Sequence, residues 1–276
     1  SKRINSRSEI ISCKDSYHGS THGALSVMGN EHYKAQYRPL LPECNQIIYN
    51  NIKSLEKISK KTSAVIIESI QGASGFIVAS NEFLVELNKV CKKYEVLIIF
   101  DEIQTCFGRT GTLFGFEQTK IIPDIICIAK GMGGGMPIGA FISSWENMNK
   151  LTFNPKLGHI TTFGGHPINC AASKATLQYI LEEKLIDHIK SKENLFRKLL
   201  VHTNIISISG VGLMLSLNLE NKQQVNTVVE NCMKDGLLLF YFLFNDKSIR
   251  ITPPLTISKE EIKIGCEIIL RNLDKV

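Results

Sequence analysis

From Ile10 to Ser143 short apolar runs alternate with amphipathic stretches, the pattern of a parallel sheet covered by helices. The strand candidates are Glu9–Cys13, Gln46–Tyr49, Ala64–Ile70, Val96–Phe100, Asp124–Ala129 and Gly139–Ser143. Between the third and fourth, Phe83, Leu84, Leu87, Val90 and Cys91 recur at helical spacing. This predicts a helix over Asn81–Tyr94, with Asn81 as its N-cap. Strand, helix and strand in that order make a βαβ unit.

Past Pro155 the texture changes. Pro167, a residue suited to the first helical turn, opens a helical pattern that runs to Leu181, and a second covers Leu185–His202. The strands Gly212–Leu219, Leu237–Phe244 and Ile249–Thr252 then alternate with the helices Gln223–Met233 and Ser258–Asn272. The expected organisation is α/β, with a large domain over residues 1–182 built on a mainly parallel sheet. A smaller C-terminal α+β domain is expected over 183–276.

Composition narrows the classes. With 276 residues, 43% hydrophobic and 21% charged, the chain can bury a real core and lies outside the disordered and coiled-coil ranges. No apolar run approaches the roughly 18 residues of a membrane span. The residues from Ser1 to Ser16 lack the apolar stretch of a secretory signal, so a cytoplasmic protein is expected. The net charge of +6 is spread along the chain without a basic stripe interleaved with aromatics, which argues against nucleic acid as a partner. Eight cysteines occur without a CxxC pair or a Cys/His cluster at zinc spacing, and neither a disulfide framework nor a metal site is expected.

Two residues fall where open α/β sheets bind ligands, at the carboxyl ends of strands. Asp101 follows Val96–Phe100, and Lys130 follows Asp124–Ala129 and precedes the flexible run GMGGGMP. An acid and an amine on one sheet edge suit pyridoxal phosphate, which takes a covalent amine partner and a carboxylate against its ring nitrogen. Each residue alone also reads as a solvated strand end, and the glycine run, lacking a GK[ST] ending, as a turn.

The segment LIIFDEIQTCFGRTGTLFGFEQTKIIPDIICIAKGMGGGMPIGAF resembles the core of the class III pyridoxal-phosphate aminotransferases, the ornithine, acetylornithine and 4-aminobutyrate group. Further matches follow in the family's order: YHGSTHGALSV at Tyr17–Val27, VIIESIQG at Val65–Gly72, GHITTFGGHPINCAA at Gly158–Ala172 and IRITPPL at Ile249–Leu255. The resemblance implies the large domain of the aspartate aminotransferase-like fold with its small C-terminal companion. It implies that Lys130 anchors the cofactor and shuttles the proton at the substrate carbon, and that Asp101 keeps the ring nitrogen protonated. Tyr17 would lie against the ring and Gln104 near its phenolic oxygen. Thr161 and Thr162 would reach the cofactor phosphate of a neighbouring subunit, which makes the protein a homodimer with shared sites. Arg250 would grip a substrate carboxylate, with Glu68 supporting its neighbours. Amino transfer from an ω-amino donor of ornithine or N-acetylornithine type to 2-oxoglutarate is the implied reaction, in arginine-family amino-acid metabolism.

The sequence also departs from the family. Its members are longer, so an N-terminal portion that helps hold the cofactor phosphate is expected ahead of Ser1. Ala73 stands where ornithine-type members carry a glutamate that masks the carboxylate-binding arginine, and Ser20 where acetylornithine-type members carry an arginine. Cys106 replaces the usual glycine. Two alternatives stay open: an aminomutase of the glutamate-semialdehyde type, and a truncated relative that dimerises without catalysis.

Overall fold

A computed structural model describes residues 1–119, 121–156 and 159–276; Lys120 within the longest family-like segment and Gly158 at the head of another lie outside the described residues. The chain opens with β1 (Glu9–Cys13), β2 (Cys44–Ile47) and β3 (Thr62–Ile67), followed by the short hairpin strands β4 (Ile70–Gln71) and β5 (Ile77–Val78). Next come β6 (Leu97–Asp101), β7 (Ile125–Ile128) and β8 (Ala140–Ser143). Six of these strands form one sheet in the order β2-β1-β3-β6-β7-β8, parallel except for β8 against β7. The antiparallel edge follows from connection length, since the glycine-rich link between β7 and β8 contains no crossover helix.

The helix Asn81–Tyr94 joins β3 to β6 as expected, but its N-cap is Ser80 rather than Asn81. Ser80 has extended backbone, and its hydroxyl accepts from Phe83 N at 3.2 Å, so it satisfies a donor at the helix start. Phe83, Leu84, Leu87 and Cys91 from this helix pack with Ile11, Val65, Ile67, Ile98 and Phe100 of the strands in one buried cluster. The expected strand Ala64–Ile70 stops at Ile67. The chain turns at Glu68, whose carboxylate accepts from Gly72 N at 2.9 Å, and Ile70–Gln71 pairs instead with β5.

The second half forms a four-stranded antiparallel sheet in the order β11-β12-β10-β9, from β9 (Ser207–Val211), β10 (Met214–Asn218), β11 (Phe240–Tyr241) and β12 (Ser248–Ile251). The run Gly212–Leu219 proves to be one arm of a hairpin that turns at Gly212, and its partner β9 carries no apolar run that would have marked it. Only Phe240 and Tyr241 of the expected strand Leu237–Phe244 pair with β12. The pattern Leu185–His202 resolves into a 3-10 turn, Leu185–His188, and a helix, Ile189–Leu199. Helices Lys222–Lys234 and Lys259–Leu273 cover this sheet through a core that includes Leu215, Leu217, Val225, Val228, Ile262 and Ile269. The last helix starts with a full capping box between Ser258 and Glu261.

Arg109 ties the two sheets together. Its guanidinium donates to Leu213 O at 3.1 Å and Pro253 O at 2.5 Å, next to β10 and β12. Among the described residues no helix is long and apolar enough to cross a membrane.

Candidate active site

The parallel strands place their carboxyl ends on one edge. Asp101 closes β6 in register with Cys127 of β7, and Lys130 follows the end of β7 by two residues. Lys130 has φ +44, a left-handed conformation that a residue with a side chain adopts at some cost. It opens the turn Lys130–Gly133 that redirects the chain at the site. Both side chains face a cavity of about 450 Å³, and Tyr17, Glu68, Gln104 and Arg250 line the same space. Six of the eight residues singled out in the sequence are thus brought together. Thr161 and Thr162 are not, being exposed on a turn outside this cavity.

Asp101 is buried and held from two sides. Its Oδ1 accepts from Ile103 N at 3.1 Å and its Oδ2 from His18 Nδ1 at 2.8 Å. A carboxylate only accepts, so the proton in that contact sits on Nδ1. Each carboxylate oxygen keeps a further lone pair for a donor entering the cavity. Burial disfavours the charged imidazole, yet the hydrogen bond and charge of Asp101, with Glu68 adding, raise its pKa on balance. His18 Nε2 is buried without a partner. His18 was not among the residues expected at the site, and its place directly after Tyr17 in the YHG run is the sequence signal that could have marked it.

Glu102 was also missed. It is fully buried, and its Oε2 accepts from Thr105 Oγ1 at 2.5 Å and Gly115 N at 2.7 Å, pinning the loop that carries Gln104. Gln104 itself lies over Gly72, where a Cβ would stand 2.1 Å from its Oε1. A side chain there would push the Gln104 amide aside. Cys106 is buried, and burial together with Glu102 pushes its thiol to about 12, so it behaves as an inert packing residue.

Lys130 stays accessible through the open cavity, but its surroundings lower its pKa. Desolvation is the largest cause, Asp101 and Glu68 oppose it, and the Arg250 charge adds to it. An amine so tuned is a better nucleophile and base at neutral pH.

Glu68 is pushed up to about 7, chiefly by burial and further by Asp101, against the His18 charge and the Gly72 and Tyr17 amides that lower it. In the unfolded chain the same group titrates near 4.5, so between those values the folded state binds the extra proton. Its stability contribution therefore falls as pH rises through that window. His18 acts in the same sense: its raised pKa gives stability present below its unfolded value of 6.5 and lost as pH rises through the folded one. Thermal melts of the cofactor-free protein should show lower melting temperature at pH 8 than at pH 5. Glu68→Gln should flatten that dependence and gain roughly 2–3 kcal/mol at pH 8. Equal slopes for the two proteins would remove Glu68 as the cause.

Known proteins resemble this chain in sequence and in fold. The profile of the family described as "Aminotransferase class-III" matches residues 1–273. The acetylornithine aminotransferase of Clostridium acetobutylicum is 37% identical over 263 residues, covering 93% of this chain and 66% of the relative. That of Bacillus cereus is 37% identical over 269 residues, covering 95% and 68%. A solved ornithine aminotransferase from Toxoplasma gondii, with partial occupancy of PLP at its active site, superimposes with a TM-score of 0.90. It is 28% identical and covers 98% of this chain and 65% of that one. The chain therefore spans about two thirds of the length of the relatives it matches. A family profile over nearly every residue, joined to the fold of a PLP-dependent transferase, settles its kinship: this chain belongs to the class III aminotransferases.

Proposed function

We propose that the cavity binds pyridoxal phosphate and that the protein moves an amino group from an ω-amino donor of ornithine or N-acetylornithine type to 2-oxoglutarate. The observation that carries this is the meeting of Asp101, backed by His18, with Lys130 in one cavity at the carboxyl edge of adjacent strands. The fit to the cofactor rests on a buried carboxylate with spare lone pairs and an amine of lowered pKa. When bound, the cofactor supplies an electron sink for the charge left at the substrate carbon when a proton departs.

The chain's residues do the rest. Lys130 Nζ would hold the cofactor covalently at rest, and would later take the proton from the substrate carbon and pass it to the cofactor's aldehyde carbon. The Asp101 carboxylate, kept in place by His18, would hold a proton at the ring nitrogen. Tyr17 and Gln104 line the cavity as ring contacts, Glu68 supports the Tyr17 and Gly72 backbone, and Arg250 takes the carboxylate of the substrate.

A homodimer is part of the proposal, with Thr161 and Thr162 serving the neighbour's site. The helix Pro167–Glu182 supports it, since it is apolar on most sides yet only Ile180 is buried. Ile160, Phe163 and Trp145, exposed in the single chain, extend the same kind of surface. The division at 182/183 is also proposed, supported by a separate core that begins at Ile189. A cytoplasmic location completes the proposal on family resemblance.

The test is an absorbance titration of the purified protein with pyridoxal phosphate and single donors. The expected result is a cofactor band that is lost with ornithine or N-acetylornithine and returns with 2-oxoglutarate. Turnover of an amino-acid substrate without any oxo acid would point to the aminomutase instead, and a folded protein showing no cofactor band would leave a non-catalytic relative.

A further inference from the structure

Arg250 lies on β12, opposite Phe240 of β11 and Ser216 of β10. Its guanidinium carbon stands 5.2 Å from the centre of the Phe76 ring and 5.3 Å from that of Phe242. The rings meet edge to face at 4.7 Å, and both are buried. Distant parts of the chain supply them, joined by a specific set of hydrogen bonds. Phe244 N donates to Ala73 O at 3.0 Å, Asn245 Nδ2 to Ser74 O at 3.3 Å, and Ser209 Oγ to Gly75 O at 2.9 Å. Gly75 and Phe76 both have positive φ, +105 and +54, and a Cβ on Gly75 would stand 2.7 Å from Asn245 Nδ2. These bonds hold a left-handed turn that presents Phe76 to the arginine.

Among the described residues no carboxylate forms an ion pair with Arg250, and its buried Nε has no hydrogen-bond partner. The acids of the cavity are engaged elsewhere, Asp101 by His18 and Ile103 N, and Glu68 by Gly72 N and Tyr17 N. Ala73, which also lines the cavity, offers no charge. Two aromatic faces offset part of the burial of the guanidinium, but they cannot satisfy its N–H groups.

We propose that Phe76 and Phe242 are positioning residues that hold Arg250 for a substrate carboxylate, with no acid among the described residues competing for it. The proposal rests on the reading of Arg250 given above and deepens it. An acid partner would have to be displaced before substrate bound, and could return when the substrate carried no carboxylate there. An aromatic seat does neither. Arg250 is open to a carboxylate in both halves of the reaction and stays uncompensated against a neutral chain. The substrates favoured at this position are amino and oxo acids that bring a carboxylate to it, over carboxylate-free amines of equal length.

The experiment uses the purified holoenzyme. Glutarate, which has no reacting group, is titrated calorimetrically into the wild type, Phe76→Leu, Phe242→Leu, Phe242→Tyr and Arg250→Met. KM and kcat are measured in parallel for 2-oxoglutarate, and the half-reaction rate for a carboxylate-free primary amine. Both leucine variants should weaken glutarate and raise the 2-oxoglutarate KM about tenfold, with kcat and the amine rate unchanged. Phe242→Tyr, which keeps the ring face, should match the wild type. If the leucine variants bind glutarate normally while Arg250→Met does not, the positioning role is wrong and the reading of Arg250 stands. If Arg250→Met also binds normally, the underlying reading falls too. Equal losses for acid and amine, or leucine variants that fail to fold beside a well-folded Phe242→Tyr, would assign the rings to packing alone and overturn the proposal. Glutarate binding does not need turnover, so the outcome is readable whichever donor reacts.

Discussion

Lys130→Ala is expected to lower kcat by about 10⁴-fold or more while leaving the fold intact. In the proposed mechanism the substitution removes both the amine that would hold the cofactor and the base that would move the proton from the substrate carbon, and general-base catalysis alone is worth about 10²–10⁴-fold. The side chain makes no hydrogen bond or ion pair among the described residues whose loss would unfold the site, and it is accessible through the cavity. The left-handed backbone at this position should tolerate alanine about as well as lysine. Lys130→Arg is the informative control, since arginine keeps the charge but neither deprotonates nor attacks a carbonyl at neutral pH. Single-turnover rates with a reacting donor, together with melting temperatures, would check this. A variant that turned over within tenfold of wild type would remove Lys130 from the mechanism.

Asp101→Asn should cost about 10³-fold in kcat with little change in melting temperature. The magnitude follows from losing a buried charge aimed at the reacting centre, an effect usually worth about 10²–10³-fold. Asparagine keeps the shape: its Oδ1 can still accept from Ile103 N, and its Nδ2 can donate to His18 Nδ1 once the imidazole carries its proton on Nε2. What it cannot supply is the negative charge that raises the pKa of His18 and, in the proposed mechanism, would hold a proton at the ring nitrogen. The histidine resonance is therefore a second readout: its NMR titration should move down in Asp101→Asn. A kcat loss without that movement would mean that the two residues are not coupled as the 2.8 Å contact implies.

The elements of the fold were largely legible along the chain. β1 and the helix Asn81–Tyr94 have the expected ends, because an apolar run or a helical stripe with a clear boundary needs no knowledge of its partner. Boundaries failed where a long-range contact decided them. Glu68 ended β3 by turning to the Gly72 amide, and β9 became a strand only because β10 lay beside it. The class III kinship was legible as well, since its motifs are local runs of residues in a set order.

The site was legible in part, and for a physical reason. Asp101 and Lys130 could be placed on one sheet edge because strand order and strand ends constrain the backbone. Tyr17, Glu68, Gln104 and Arg250 had only their motifs to mark them. His18 against Asp101, Glu102 beneath the Gln104 loop, and the Phe76 and Phe242 rings on Arg250 carried no periodicity at all. Local pattern alone determined the α/β class, the parallel core and the chemical types at the sheet edge, because hydrophobic spacing acts over a few residues. Which acid is held by backbone amides alone, which is also tied to an imidazole, and which arginine is left with aromatic neighbours and no counter-charge were decided only by the tertiary structure. Those properties depend on burial and on contacts between residues that the chain keeps as far apart as Ala73 and Phe244.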